Sequence, residues 1–224
     1  MVTDKSTIVR YMGVAISSAL DDFIDELISA ANDYIENYCG DAKFGRRSFS
    51  APDPDNDETR RFDGNQGVKL SVGDLRSITS LTIDGVQYTV NTDFVLYPAN
   101  ASAQREPYQW IELVQPGGAV NSRSALASSY EFTIGQQNVA VVGKWGYSAT
   151  PPSAIKIAAT KLVAGMIKEN LTDKDVKEIK QESLGDYSAT YQDVTKVAGA
   201  LGVNELLEPF KRKAPKAMSG VIII

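Results

Sequence analysis

Residues able to do chemistry are few in this chain, and the most telling count is a zero: none of its 224 residues is histidine. Hydrolytic triads with a histidine base and histidine metal sites are therefore excluded. The lone cysteine, Cys39, can form neither an intrachain disulfide nor a thiolate zinc cluster. Carboxylates remain. The run Asp53-Pro54-Asp55-Asn56-Asp57 spaces three aspartates as at positions one, three and five of a calcium loop. Position six, however, is Glu58 where glycine is needed, and position twelve is Gly64 where a bidentate glutamate is needed, so the run reads as a solvated acidic loop. Asp63-Gly64-Asn65-Gln66-Gly67 is glycine-rich, but no Gly-Lys-Ser/Thr follows, and a hairpin turn is expected rather than a phosphate cradle. Facing carboxylates could run glycoside hydrolysis, yet the acids here gather at helix starts and loops, where the helix dipole and solvation account for them. Trp145-Gly146-Tyr147 offers either a binding patch or two aromatics that close the end of a sheet over helices, and we expect the latter. These residues imply no cofactor, no metal and no enzyme.

The elements that must position these residues follow from composition and periodicity. Hydrophobic residues make up 43% and charged residues 23%, the balance of a globular protein with a sizeable core. A net charge of −5 gives no global field that would pull the chain onto nucleic acid. No apolar run reaches the roughly 20 residues of a membrane span. The opening Met1-Val2-Thr3-Asp4-Lys5 lacks the basic-then-apolar pattern of a signal peptide, and the single cysteine suits a reducing cytoplasm.

Leu20, Phe23, Ile24, Leu27, Ile28, Ala31, Tyr34, Ile35 and Tyr38 recur at steps of three and four, which predicts a helix from Ser18 to Tyr38. Ser17 or Ser18 would cap it, acidic residues crowd its first turns, and Gly40 is expected to end it in a left-handed conformation. A short helix from Thr7 to Met12 would precede it. From Phe44 to Tyr147 the period changes to two. Leu81 and Ile83, then Val86, Tyr88 and Val90, flank Asp84-Gly85, a type I′ hairpin signal. Further strands are expected at Phe94 to Tyr97, Gln109 to Val114, Tyr130 to Ile134 and Asn138 to Trp145, with loops at Ala51 to Glu58 and Gln115 to Ser129. After Pro151-Pro152, helix returns from Ser153 to Asn170. A charged stretch from Asp173 to Gln181 follows, then a strand carrying Tyr187 and Tyr191, a last helix from Val203 to Lys211, a basic tail and the apolar end Val221 to Ile224.

Three pieces in this order carry a resemblance: Leu27-Ile28 through Tyr34-Ile35-Glu36-Asn37-Tyr38-Cys39-Gly40 into Phe44; Gly143-Lys144-Trp145-Gly146-Tyr147 with Pro151-Pro152 and Ile155; and Glu182-Ser183-Leu184-Gly185-Asp186-Tyr187-Ser188 through Tyr191, with Leu206-Leu207-Glu208-Pro209-Phe210-Lys211 after it. Together they resemble the head–tail connector, or adaptor, proteins of tailed-bacteriophage necks, although the β region is longer and the tail after Phe210 more extended than is usual there. The expected fold is α+β: a helical core from residues 1–43 and 151–181, an inserted antiparallel β module at 44–150, and an arm of strand, short helix and mobile basic tail at 182–224. The resemblance implies a structural virion protein, assembled in the host cytoplasm, that forms a closed ring of about twelve copies beneath the portal. Its partners would be copies of itself, the portal and the next neck or tail-completion protein. DNA would pass through the lumen without specific binding, eased by like-charge repulsion if acids line it, and no membrane is involved.

On that reading Leu206, Leu207, Phe210, Lys211, Arg212 and Lys213 dock on the portal. Trp145, Tyr147, Tyr187 and Tyr191 contact neighbouring subunits. Truncation after Glu208 is expected to leave a folded subunit that no longer joins the portal. The alternatives are another tail or tail-completion component, or a carboxylate-dependent hydrolase of cell-wall polymers.

Overall fold

The computed structural model describes residues 2–49, 55–114, 131–170 and 191–212. The fold is α+β and divides into two compact units, one helical (1–50 and 150–212) and one built on a sheet (within 51–149).

In the helical unit, α1 (Lys5–Met12) opens on Asp4, whose carboxylate accepts the Thr7 amide at 2.8 Å, and closes on Gly13 in the left-handed region. A 3-10 turn (Ser18–Leu20), capped by Ser17, leads into α2 (Asp21–Cys39). Of the expected stripe, Leu20, Ile24, Leu27, Ile28, Ala31, Tyr34 and Ile35 are buried, Phe23 and Tyr38 are half-buried, and Cys39 is buried beside them. Each large side chain gains about 1.5–3 kcal/mol from burial, which must exceed an ordering cost of about 1–2 kcal/mol per residue, so the helix holds only with a partner. That partner is α4 (Ser153–Asn170), whose Ile155, Ala158, Ala159, Leu162, Val163, Ala164, Met166 and Ile167 are buried, nearly around the whole helix. α1, α2, α5 (Tyr191–Ala200) and α6 (Val203–Leu207) all pack on it. Gly165 lets α5 approach, since a Cβ there would meet Val197 and Leu201. Thr3 and Thr160 join their buried hydroxyls at 2.9 Å, tying the N-terminal segment to α4. A 3-10 turn (Glu208–Phe210) follows α6.

Three expectations change here. Tyr191 begins a helix rather than ending a strand, because Val194, Val197 and Ala198 form a helical stripe that buries against α4. Gly40 is extended, not left-handed; glycine is needed because any Cβ would run into the carbonyl of Gly45. Residues 44–49 belong with the helices, since Phe49 is fully buried there and meets Phe210 edge-on.

The sheet unit has β1 (Glu58–Gly64), β2 (Lys69–Ile83), β3 (Val86–Tyr88), β4 (Phe94–Tyr97), a one-turn α3 (Ala101–Gln104), β5 (Tyr108–Leu113) and β6 (Gly135–Trp145). The order is β1-β6-β2-β5-β4, antiparallel throughout, with β3 also on β2. Asp84 and Gly85 both take positive φ, as a type I′ turn requires, and set Ile83 opposite Val86. One face of the sheet gathers Leu70, Val72, Leu75, Leu81, Ile83, Tyr88, Phe94, Ile111, Leu113, Phe132, Val139, Val141 and Trp145 into a core.

The hairpin expected at Asp63 to Gly67 does not form. β1 and β2 lie on opposite sides of β6, so this segment bridges them, and Gln66 and Gly67 exchange backbone hydrogen bonds with Phe132 at 2.8 Å. Residues 131–134 are accordingly not a strand of the sheet. The expected loop at 115–129, the charged stretch at 173–181 and the tail beyond Arg212 lie outside the described residues.

Candidate docking site in the helical unit

The residues expected to dock on the portal begin in α6. There the chain runs along the last two turns of α2, where Tyr34 and Tyr38 stack with centroids 5.9 Å apart. Both hydroxyls donate to the arriving segment: Tyr34 to Asn204 Oδ1 at 2.7 Å, Tyr38 to Glu208 Oε2 at 3.1 Å. Burial pushes the Tyr34 phenol up, against the pull of that hydrogen bond. Lys211 pairs with Glu208 at 2.9 Å and sits over the Tyr38 ring, 4.2 Å from its centroid. The ammonium and the Tyr38 hydroxyl hold the Glu208 carboxyl below its usual range, and the Lys211 ammonium is raised in return. Cys39 is fully buried, facing the Leu207 carbonyl at 3.8 Å, and burial pushes its thiol up to about 12. It is a packing residue rather than a nucleophile.

The other wall is the hook after α2. Asp41 and Gly45 exchange backbone hydrogen bonds, and the Asp41 carboxylate caps the amides of Lys43 and Phe44 at 2.8 and 2.7 Å. The Arg47 amide then returns to Glu36 O at 2.8 Å. Two arginines close the site. Arg47 is 2% exposed and donates to the carbonyl of Phe210. The Arg212 side chain is 6% exposed: its guanidinium donates to Gly45 O at 3.2 Å and Arg46 O at 3.4 Å, meets Asp41 at 3.4 Å, and faces the Phe44 ring. Its backbone amide takes Cys39 O at 2.9 Å, satisfying an orphan carbonyl at the end of α2.

Buried guanidiniums of this kind are costly to expose unpartnered, so the segment up to Arg212 is part of the fold. Leu207 is fully buried, Leu206 and Phe210 are half-buried, and Lys211 and Arg212 are engaged within the chain. Of the residues expected to dock on the portal, Leu206 to Arg212 are thus built into or against the helical unit, and Lys213 lies outside the described residues. Among the expected subunit contacts, Trp145 is 5% exposed in the sheet core. Its indole donates to Glu58 O at 2.8 Å, and Arg60 covers its ring at 4.4 Å. Tyr147 is also buried, at 8%, so neither aromatic presents a free face. Tyr191 lies in α5, and Tyr187 lies outside the described residues. The receiving residues Asp41 and Arg47 were not singled out from the sequence; the Asp-x-Lys-Phe-Gly turn signal was present, but nothing local tied it to residues more than 160 positions away.

Of the acidic run, Asp57 accepts a hydrogen bond from Thr79 at 2.6 Å, and among the described residues no group of three or more acids and cysteines is placed to hold a metal ion. No described helix is long and apolar enough to cross a membrane. No family model matches the chain, and no curated protein matches it.

Proposed function

We propose that this chain is a structural subunit of a tailed-phage neck, forming a ring beneath the portal that joins head to tail and extends the DNA channel. The observation that carries the proposal is the clamp. Residues 203–212 are locked by contacts of Arg47, Arg212, Tyr34 and Tyr38, so whatever follows Arg212 starts from a fixed point. A protein whose work is assembly needs such an anchor: it converts a tail into an arm of fixed origin, and many weak arm contacts multiply around a closed ring. Among the described residues, the order of helices, an inserted sheet unit and further helices supports the same reading through its resemblance to connector proteins.

The docking part of the arm is residues 213–224, with Lys213 and Lys216 as its charged contacts and Val221 to Ile224 as its apolar end. The test is stoichiometry. Quantitative mass spectrometry of purified particles should find the chain in a fixed ratio to the portal, near one ring per portal. Its absence from the particles, or a copy number typical of a tail tube, rejects the reading. A turnover assay on cell-wall polymer addresses the hydrolase alternative, and activity there rejects the structural role.

A further inference from the structure

The helical unit carries two outward surfaces of opposite charge. α2 has six acidic residues and no basic one. On the side away from its buried stripe, Asp22, Asp25, Glu26 and Ser29 are exposed and Asp33 and Glu36 are half-buried. The helix dipole accounts for the acids of the first turn only. Asp22 and Glu26 are like charges four residues apart, Asp33 and Glu36 are three apart, and Glu36 lies near the C-terminal end, all locally unfavourable placements. Within the chain Lys5 pairs with Asp21 and Arg46 with Asp33. Asp22, Asp25 and Glu26 have no ion pair among the described residues. An acidic face that its own helix disfavours calls for a counter-charge from outside.

α4 supplies the matching surface. It is buried on most sides and leaves one strip open. Ile157, at 51% exposure, half-buried Lys161 and Gly165 follow one another at steps of four, and exposed Lys168 continues the line. Leu201, 38% exposed, lies against Gly165 and completes the strip. α4 has three lysines against one acid, Glu169. The strip from Ile157 to Lys168 and the face from Asp22 to Asp33 are each about 16 Å long at the helical rise. α2 meets α4 through its opposite side, so one copy displays both surfaces at once. We propose that the α4 strip of one copy packs on the acidic face of α2 in a second copy. Ile157 and Leu201 supply the apolar burial, and Lys161 and Lys168 among Asp22, Asp25 and Glu26 fix partner and register. Contact between unlike surfaces is head-to-tail: each added copy leaves one surface of each kind free until a ring closes. The proposal rests on the ring reading and names its subunit contact.

Native mass spectrometry of the full chain at low ionic strength tests it, with circular dichroism confirming that each variant is folded. One variant carries Lys161→Glu and Lys168→Glu, the other Asp25→Lys and Glu26→Lys. The parent should form oligomers larger than a dimer, and each variant alone should associate at least about tenfold more weakly. An equimolar mixture of the two variants should regain oligomers, because every contact in it can again join opposite charges. A parent that stays monomeric up to about 1 mM, variants that assemble like the parent, or a mixture that does not recover, overturns the proposal. Oligomers that survive both reversals remove this contact and leave the ring reading standing, since that reading falls on particle stoichiometry instead.

Discussion

The sheet unit is held by a broad apolar core drawn from β2 to β6, with most contacts between hydrogen-bonded neighbours. The helical unit has an apolar interior around α4 as well, but it closes differently. Two arginines there link a hook at residues 41–47 to residues 210–212: Arg47 of the hook donates to the Phe210 carbonyl, and Arg212 donates to carbonyls and a carboxylate of the hook. The first unit is stable through area, and losing one side chain removes a share of it. The second has a closure made of a few charge-assisted hydrogen bonds, each costly to leave half-made. The contrast teaches that a segment reading as a basic tail can carry structure: up to Arg212 it is part of the fold.

The chain carries its own reporters for breaking this contrast, because both tryptophans, Trp110 and Trp145, lie in the sheet unit while far-ultraviolet circular dichroism at 222 nm follows the helices. The largest effect is expected from Arg47→Ala, which leaves the Phe210 carbonyl unpartnered and removes a fully buried side chain. The helical signal should be destabilised by about 3 kcal/mol or more, and the tryptophan transition should move less. Coincident shifts of both signals would show that the units do not differ as described. Next come two truncations. Ending the chain after Glu208 removes the Phe210, Lys211 and Arg212 contacts and should cost about 2–3 kcal/mol in chemical denaturation, whereas ending it after Arg212 should cost under about 0.5 kcal/mol.

On the sheet side, a methyl at Gly64 would collide with the Thr133 carbonyl, a backbone atom that cannot step aside. Gly64→Ala should therefore lower the tryptophan-monitored transition by about 2 kcal/mol and leave the helical signal in place. The smallest effect is a pH dependence. Hydrogen bonds from Thr133 and Asn138 hold the exposed Asp84 carboxyl below its usual range. A lowered folded value means the stabilisation is present above the unfolded carboxylate value of about 3.9 and fades as pH falls through the folded one. An acid titration of sheet stability should show that component in the parent chain and lose it in Asp84→Ala.

Much of this architecture is legible in the sequence where local and tertiary preferences agree. The stripe from Leu20 to Tyr38, the Asp84-Gly85 turn and the apolar run of α4 each specify their element unaided. Elsewhere tertiary structure decides. β1 has neither alternation nor strand-forming composition beyond Thr59 and Phe62, and is a strand because β6 offers it an edge. The alternation of β2 is broken at Val72-Gly73-Asp74-Leu75, four buried residues in succession opposite a shift in the β5 register. α5 contains Thr195 and Gly199, poor helix formers, and depends on the surface of α4. The clamp was the least legible part: each of its residues is ordinary alone, and only folding brings Asp41 to Arg212 and Arg47 to Phe210.

The most direct test of the central proposal, that residues up to Arg212 build the fold and those beyond it join a portal, is native mass measurement of the chain mixed with a tailed-phage portal protein. The full chain should give a ring-bearing complex. The chain ending at Arg212, folded by circular dichroism, should leave the portal unaccompanied. Equal joining by both chains would contradict the account.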